Sequence, residues 1–217
     1  MNPLARWLRA LRPAVDERRW VVLDVETTGL DVQRHEVLSV SALAMHRIDG
    51  QWSLVLQDSL DLLFRPQVLS ASEDNVLLHG LGRGVQSRGL PPAQALQQLR
   101  DWVGQSPVLA FHADFDRSFL QQACRKAGAQ PLPWCWLDLA DVLPVVFPGE
   151  QAGSLDGWME KLHVVCSRRH NAAADAWATA QLWLKAVHAM PGHERMQWHA
   201  WRRVARQARW LPGIRNL

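Results

Sequence analysis

The chain of 217 residues contains no tyrosine, so no phenol is available to its chemistry. Its three cysteines, Cys124, Cys135 and Cys166, are odd in number and form no C-x-x-C pair. That pattern excludes a paired disulfide framework and offers no zinc-ligand spacing, and it points to a reducing, cytoplasmic setting. No apolar run approaches the roughly 20 residues needed to span a bilayer, so no membrane partner is expected. Near the start, Arg6, Arg9 and Arg12 interrupt the apolar residues and break up the core that a secretory leader requires. Instead Leu4, Trp7, Leu8, Leu11 and Val15 recur at helical spacing. Lysine is scarce, occurring as Lys126, Lys161 and Lys185, and arginine carries most of the positive charge.

Positive charge is modest overall, with a formal net charge of +3 and a pI near 9.1, but it is unevenly placed. Between Pro191 and Leu217 six arginines face a single glutamate. Such a segment suits a polyanion, or is simply a solvated helix face. Trp198, Trp201 and Trp210 lie among these arginines, where they either stack on bases or pack the last helix; packing is the preferred reading. The length suits one domain. The expected division is an N-terminal helical extension over 1–19, a domain over 20–190 and a basic helical extension over 191–217.

Three β-rich runs open the domain. "RRWVVLDVETTGL" is followed by "EVLSVSALAMHRI" and "WSLVLQDSLDLLF", the last two joined through Asp49-Gly50-Gln51, a strong hairpin signal. The pattern then alternates between helix and strand. "PPAQALQQLRDWVG" has prolines at its start and a glycine at its end, marks of a helix. "PVLAF" reads as a short buried strand, "DFDRSFLQQACRKAG" as a helix closed by Gly128, and "PWCWLDLADVL" as a last strand or a strand-to-helix junction. Ser154 caps a short helix in "SLDGWMEKL", and "NAAADAWATAQLWLKAVHAM" is a long one. Antiparallel strands followed by strand–helix alternation predict an α/β domain with a mixed five-stranded sheet and helices on both faces.

Acids occur where apolar residues are expected. Asp24 and Glu26, two positions apart on a strand, share one face about 7 Å apart. Burying them unpartnered is prohibitive, so they require a cation between them or an exit into solvent. Asp116 begins the inward stripe of its helix, with Phe119, Leu120, Ala123 and Ala127 following at helical spacing. Asp114, just ahead, is expected to cap that helix. Asp175 shares a face with Ala178, Thr179, Leu182 and Ala186. His170, five residues earlier, would lie about 140° from it around a continuous helix, so His170 is expected to precede the helix and Asn171 to cap it. Four inward carboxylates form a hard-cation site for two Mg²⁺ or Mn²⁺ ions, which can bracket a displacement at phosphorus. A histidine suits the role of general base toward the attacking water.

These residues resemble the DEDDh 3′–5′ exonucleases, the family of the proofreading epsilon subunit of bacterial DNA polymerase III. "LDVETTGL", "AFHADFDRSFL" and "HNAAAD" are similar to its three motifs, in the same order, over about Trp20 to Met190. The resemblance implies a ribonuclease H-like fold. It also implies metal ligation by Asp24, Glu26, Asp116 and Asp175, with His170 as general base. The other subclass has tyrosine where His170 stands, and a chain without tyrosine falls outside it. Thr27, Thr28, Gly29 and Leu30 would meet the terminal sugar and base. "LLHGLG" is similar to the family's His-Gly-Ile/Leu element and would bring His79 and Leu81 to the terminal nucleotide, with Asp74 a further candidate. Taken alone, His79 reads as a helix-end or turn histidine.

The implied substrate is the 3′ end of a single-stranded nucleic acid, DNA rather than RNA, and the implied partner a DNA polymerase or the replication machinery. "QARWLP" is only loosely similar to a sliding-clamp-binding peptide. Two departures from the family stand out. His112 replaces the common asparagine, which bears on substrate preference, and Ser41 stands where glycine is frequent, which calls for a packing adjustment. Two other readings compete: a haloacid-dehalogenase-type phosphatase, which lacks its downstream paired-acid motif here, and a catalytically silent nucleic-acid-binding or polymerase-associated module of the same fold.

Overall fold

Strand β1 (Arg19–Thr27) is buried along both faces. Trp20 and Val22 enter one core while Val21, Leu23 and Val25 enter another, which is why this strand reads as a nearly continuous apolar run. The computed structural model describes residues 15–69, 79–150, 152–166, 169–190, 192 and 197–208. Within it, β1 is central in a five-stranded sheet of order β3-β2-β1-β4-β5. Strands β2 (Val37–Ile48) and β3 (Gln51–Leu63) add on antiparallel, whereas β4 (Val108–Ala110) and β5 (Trp136–Asp138) run parallel to β1. The mixed α/β sheet expected from the pattern is the one observed.

The β2–β3 turn follows from its residues. Asp49 and Gly50 both have positive φ, 49° and 75°, the mirror-image turn whose twist matches a two-residue hairpin. Further along, the register passes from Ala44 opposite Val55 to Leu43 opposite Ser59, so Leu56, Gln57 and Asp58 bulge out of β3. Arg19 holds the bulge, donating to Asp58 from Nε at 2.7 Å and Nη2 at 2.9 Å, while His46 Nε2 approaches the same carboxylate at 2.7 Å. The Arg19 hydrogen bond, more than the other contacts, draws the Asp58 carboxyl down to about 2.

Seven helices are described. The short α1 (Arg83–Gln86) leads to α2 (Pro92–Val103), which packs with α3 (Ala113–Ala127) on one face of the sheet. The other face carries α4 (Leu139–Val146), α5 (Leu155–Lys161), α6 (Ala172–Ala189) and α7 (Trp198–Ala208). Tryptophans join these layers. The Trp20 ring lies 4.8 Å from Trp52, 5.1 Å from Trp183 and 5.3 Å from Trp198, and Trp183 lies 4.2 Å from Trp201. Trp198 and Trp201 therefore pack the last helix and are not free to stack on bases. Trp210, Asp74, the helical pattern of 1–14 and most of "QARWLP" lie outside the described residues.

One expectation is corrected. Asp114 does not cap α3: the cap residue is His112, and the exposed Asp114 carboxylate pairs with Arg117 at 2.8 Å. The capping acid comes from β5. Asp138 accepts from the backbone N–H of His112 at 2.9 Å and of Ala113 at 3.0 Å, and also from that of Ala140 at 2.9 Å. One carboxylate thus starts both α3 and α4. Tertiary contact overrides the local choice because β4 and β5 end side by side in register, Ala110 opposite Asp138. We expect Asp138→Ala to lower unfolding free energy by about 2 kcal/mol and Asp114→Ala to change it by under about 0.5 kcal/mol, as read by urea denaturation.

Candidate active site

Beyond Val22 the parallel partner of β1 has ended: β4 pairs with Val21 and Val22 only. Asp24 and Glu26 continue the Trp20–Val22 face past this point, opposite Ser41 and Ser39 of β2. They lie toward the carboxyl end of the parallel strands, where open α/β sheets form their crevices. Ser41 is buried beside Asp24, so the position where the family favours glycine has accepted a small hydroxyl.

Two helices deliver the other acids by their N-termini. Asn171 caps α6, its side chain accepting from the Ala174 N–H at 3.2 Å, and this sets Asp175 in the first turn. Asp175 is buried, and its Oδ2 accepts from the His170 N–H at 3.2 Å. Carboxylate oxygens of Asp24, Glu26 and Asp175 lie within 4.8 Å of one another. Asp116, buried in the first turn of α3, stands next to Asp24. The four acids singled out from their helix and strand phases are thus brought together.

The electrostatic cost of this arrangement is visible in the carboxyls. Burial first, and then the charges of Asp175 and Glu26, hold Asp24 well above the usual carboxylate range. Burial and the Asp175 charge push Glu26 up to about 7. Asp116 is raised by burial and by Asp24, opposed by hydrogen bonds from the backbone of Asp116 itself and Val25. Carboxylate oxygens alone form this donor set, which suits a hard divalent cation, and the mutual repulsion is what such a cation would relieve.

His170 precedes α6, as its spacing required. Its φ of 58° marks a left-handed turn into the helix, and its side chain is exposed at the rim. His79 and Leu81 line a groove that also contains Glu26, Ser41, Asp61 and Asn171. The Leu81 N–H donates to His79 Nδ1 at 3.0 Å, so in the neutral ring Nε2 carries the proton. That Nε2 is buried with no partner among the described residues, and burial lowers the imidazole from its usual value.

The Thr27–Leu30 loop is held by its own groups. Thr27 Oγ1 donates to the Gly29 carbonyl at 2.7 Å, and Thr28 Oγ1 accepts from the Glu36 N–H at 3.0 Å. A Cβ on Gly29 would come within 2.6 Å of the His35 ring, so only glycine fits. Leu30 projects outward at 85% exposure. His112, at the start of α3, has φ 61° and ψ 50°, a left-handed conformation that both asparagine and histidine tolerate. The departure from the family's asparagine therefore keeps a residue type suited to the backbone.

Two residues of the site escaped the sequence reading. Asp138 was legible only as part of a strand–helix junction, although an acid just before a helix is a capping signal. Arg169 lay next to His170 without a pattern of its own; here its guanidinium pairs with both Asp156 and Asp175.

Known proteins resemble this chain in sequence and in fold. A family model described as an exonuclease matches residues 21–183. A PolC-type DNA polymerase III of Listeria innocua is 26% identical over 175 residues, covering 80% of this chain and 12% of the polymerase. The 3′-5′ exonuclease DinG of Staphylococcus haemolyticus is 24% identical, over 77% of this chain and 18% of its own. The chain thus spans under a fifth of the length of these relatives. Among solved structures, the nuclease domain of 3′hExo, a DEDDh family member bound to rAMP, superposes with a TM-score of 0.69 at 18% identity, covering 81% of this chain and 94% of that one. E. coli exonuclease I with a dT13 oligonucleotide gives a TM-score of 0.65 at 16% identity, covering 77% of this chain and 40% of that one. At these identities the structures attest to the fold.

A raised carboxyl binds its proton more tightly in the folded than in the unfolded chain. In metal-free protein Glu26 therefore supports folding below its ordinary 4.5 and loses that support as pH rises through about 7. A divalent ion competes with the same protons. We expect the rise in Tm produced by Mg²⁺ or Mn²⁺ to be small near pH 5 and to grow toward pH 8, as followed by thermal unfolding with metal and with EDTA.

Proposed function

We propose, starting from the fact that this chain belongs to the exonuclease family, that it hydrolyses phosphodiester bonds from the 3′ end of single-stranded nucleic acid and releases 5′-mononucleotides. The observation that carries this reading is the convergence of Asp24, Glu26 and Asp175 within 4.8 Å, with Asp116 next to Asp24 and a groove alongside. When bound, two Mg²⁺ or Mn²⁺ ions would neutralise the phosphate and stabilise charge on the departing oxygen.

Each residue has a distinct task in this scheme. Asp24, Glu26, Asp116 and Asp175 hold the ions. His170, on the rim beside Asp175, takes the proton of the attacking water as general base, and its exposure gives that proton a route to solvent. His79 offers its buried Nε2–H to the terminal nucleotide in the groove, beside the apolar surface of Leu81. Thr27, Thr28 and Gly29 shape the loop that presents Leu30 to the last base and sugar; the hydroxyls of both threonines are already engaged within the loop. Asp74 is proposed as a further substrate contact.

DNA is the proposed substrate in preference to RNA, supported by the similarity to a DNA polymerase and to an exonuclease seen with dT13. A DNA polymerase or the replication machinery is the proposed partner, in proofreading or repair. Residues 20–190 are proposed to carry the catalytic unit; of the flanking segments, residues 15–18 lead into β1 as a turn and not as the expected helix, and α7 within 191–217 packs into the core against Trp20 and Trp183. No described helix is long and apolar enough to cross a membrane, and a cytoplasmic site of action is proposed.

Incubation with a 5′-labelled single-stranded oligonucleotide should give a ladder that requires Mg²⁺ or Mn²⁺ and vanishes with EDTA. The same assay on matched DNA and RNA reads the sugar preference. Asp116→Asn should abolish the ladder, and His170→Ala should slow turnover on the order of 100-fold or more while leaving metal affinity nearly unchanged. A folded wild-type protein that binds the oligonucleotide without cutting it would favour the silent-module reading.

A further inference from the structure

Arg169 puts a fixed positive charge against the carboxylate cluster. It lies one residue before His170, and its guanidinium bridges two acids: Nε donates to Asp156 Oδ1 on α5, and Nη1 to Asp175 Oδ1 on α6. The second oxygen of Asp175 already accepts from the His170 N–H at 3.2 Å. Both Asp175 oxygens are therefore engaged within the protein. The same charge reaches further, because Arg169 opposes the upward push on both Asp24 and Glu26.

A guanidinium stays charged at any pH a protein survives, so it cannot vacate the site by losing a proton. It can leave only by moving. A divalent ion drawing on Asp175 Oδ1 would meet Nη1 at the same oxygen, and two cations at one oxygen repel strongly in a partly desolvated site. Asp156 supplies a second seat. Its side chain is 59% exposed, whereas that of Asp175 is 8% exposed, so rotation about the Asp156 contact carries the guanidinium outward without leaving it unpaired.

We infer that Arg169 is a tethered counter-cation, which keeps Asp175 in place while the carboxylate cluster lacks metal and is displaced toward Asp156 when a divalent ion binds. The inference rests on the metal-centre reading above. Arg169 is thus a positioning residue, not a catalytic one. It steadies the metal-free cluster and lowers its metal affinity, so that removing its charge has opposite effects on the two.

Two measurements on the 217-residue chain test this: calorimetric titration with Mn²⁺, and thermal unfolding in EDTA and in Mn²⁺. Arg169→Gln should melt below wild type in EDTA, bind Mn²⁺ roughly tenfold more tightly, and gain more in Tm on adding the ion. Arg169→Lys keeps the charge but loses the fork and should fall between the two. Should Arg169→Gln fail to fold in EDTA, Arg169→Lys decides by whether its affinity exceeds that of wild type. Mn²⁺ affinity equal to or below wild type in the deciding variant overturns the inference while leaving the metal centre intact. No binding by either wild type or variant overturns the metal centre, and the inference with it.

Discussion

Repulsion among four carboxylates, two of them buried and two half-buried, is the constraint on which this structure turns. Asp24, Glu26, Asp116 and Asp175 would separate or protonate if the chain around them were free to relax. Packing prevents it. Trp20 lies four residues before Asp24 on β1 and Trp183 eight residues after Asp175 on α6, and their rings meet at 5.1 Å. The same strand and helix that carry opposing acids at one end are thus joined by fully buried indoles at the other. Each such side chain contributes about 2–3 kcal/mol by burial, and each ring pair about 1 kcal/mol more. Apolar contact at one end of the sheet holds together, at the other, charges that would not stay together alone.

Asp138 serves the same end by a polar route. Its single carboxylate accepts from His112, Ala113 and Ala140, and so fixes where α3 leaves β4. Asp116 sits in the first turn of α3, and its position therefore depends on an acid from the neighbouring strand. Burial pushes Asp138 itself up to about 6, opposed by the hydrogen bond from the Ala140 N–H. Small residues complete the setting. Ser39 and Ser41 leave room beside Glu26 and Asp24, and the bare Cα of Gly29 lets the His35 ring close against the loop.

Helix phase made much of the site legible in advance. A period of 3.6 residues put Asp116 with Phe119 and Leu120, and Asp175 with Ala178, Thr179 and Leu182, and all of these proved buried. The five-residue gap between His170 and Asp175 placed the histidine ahead of the helix, where its φ of 58° confirms the break. Capping was legible where the capping group is adjacent in sequence, as for Ser154 and Asn171. It was misread at Asp114 because the group that starts α3 lies 25 residues downstream of Ala113 and becomes a neighbour only through the β4–β5 pairing.

The sequence by itself determined the order of elements, the mixed sheet, and which acids face inward, because side-chain periodicity and turn chemistry are local properties of the chain. Only the tertiary structure decided how close Asp24, Glu26 and Asp175 come, that Trp198 and Trp201 are spent on packing, that Asp138 starts two helices, and that Arg169 lies against the carboxylates. Those outcomes rest on contacts between residues far apart in sequence. Distances between such residues are set when the two cores close on either face of β1, and no local pattern records them.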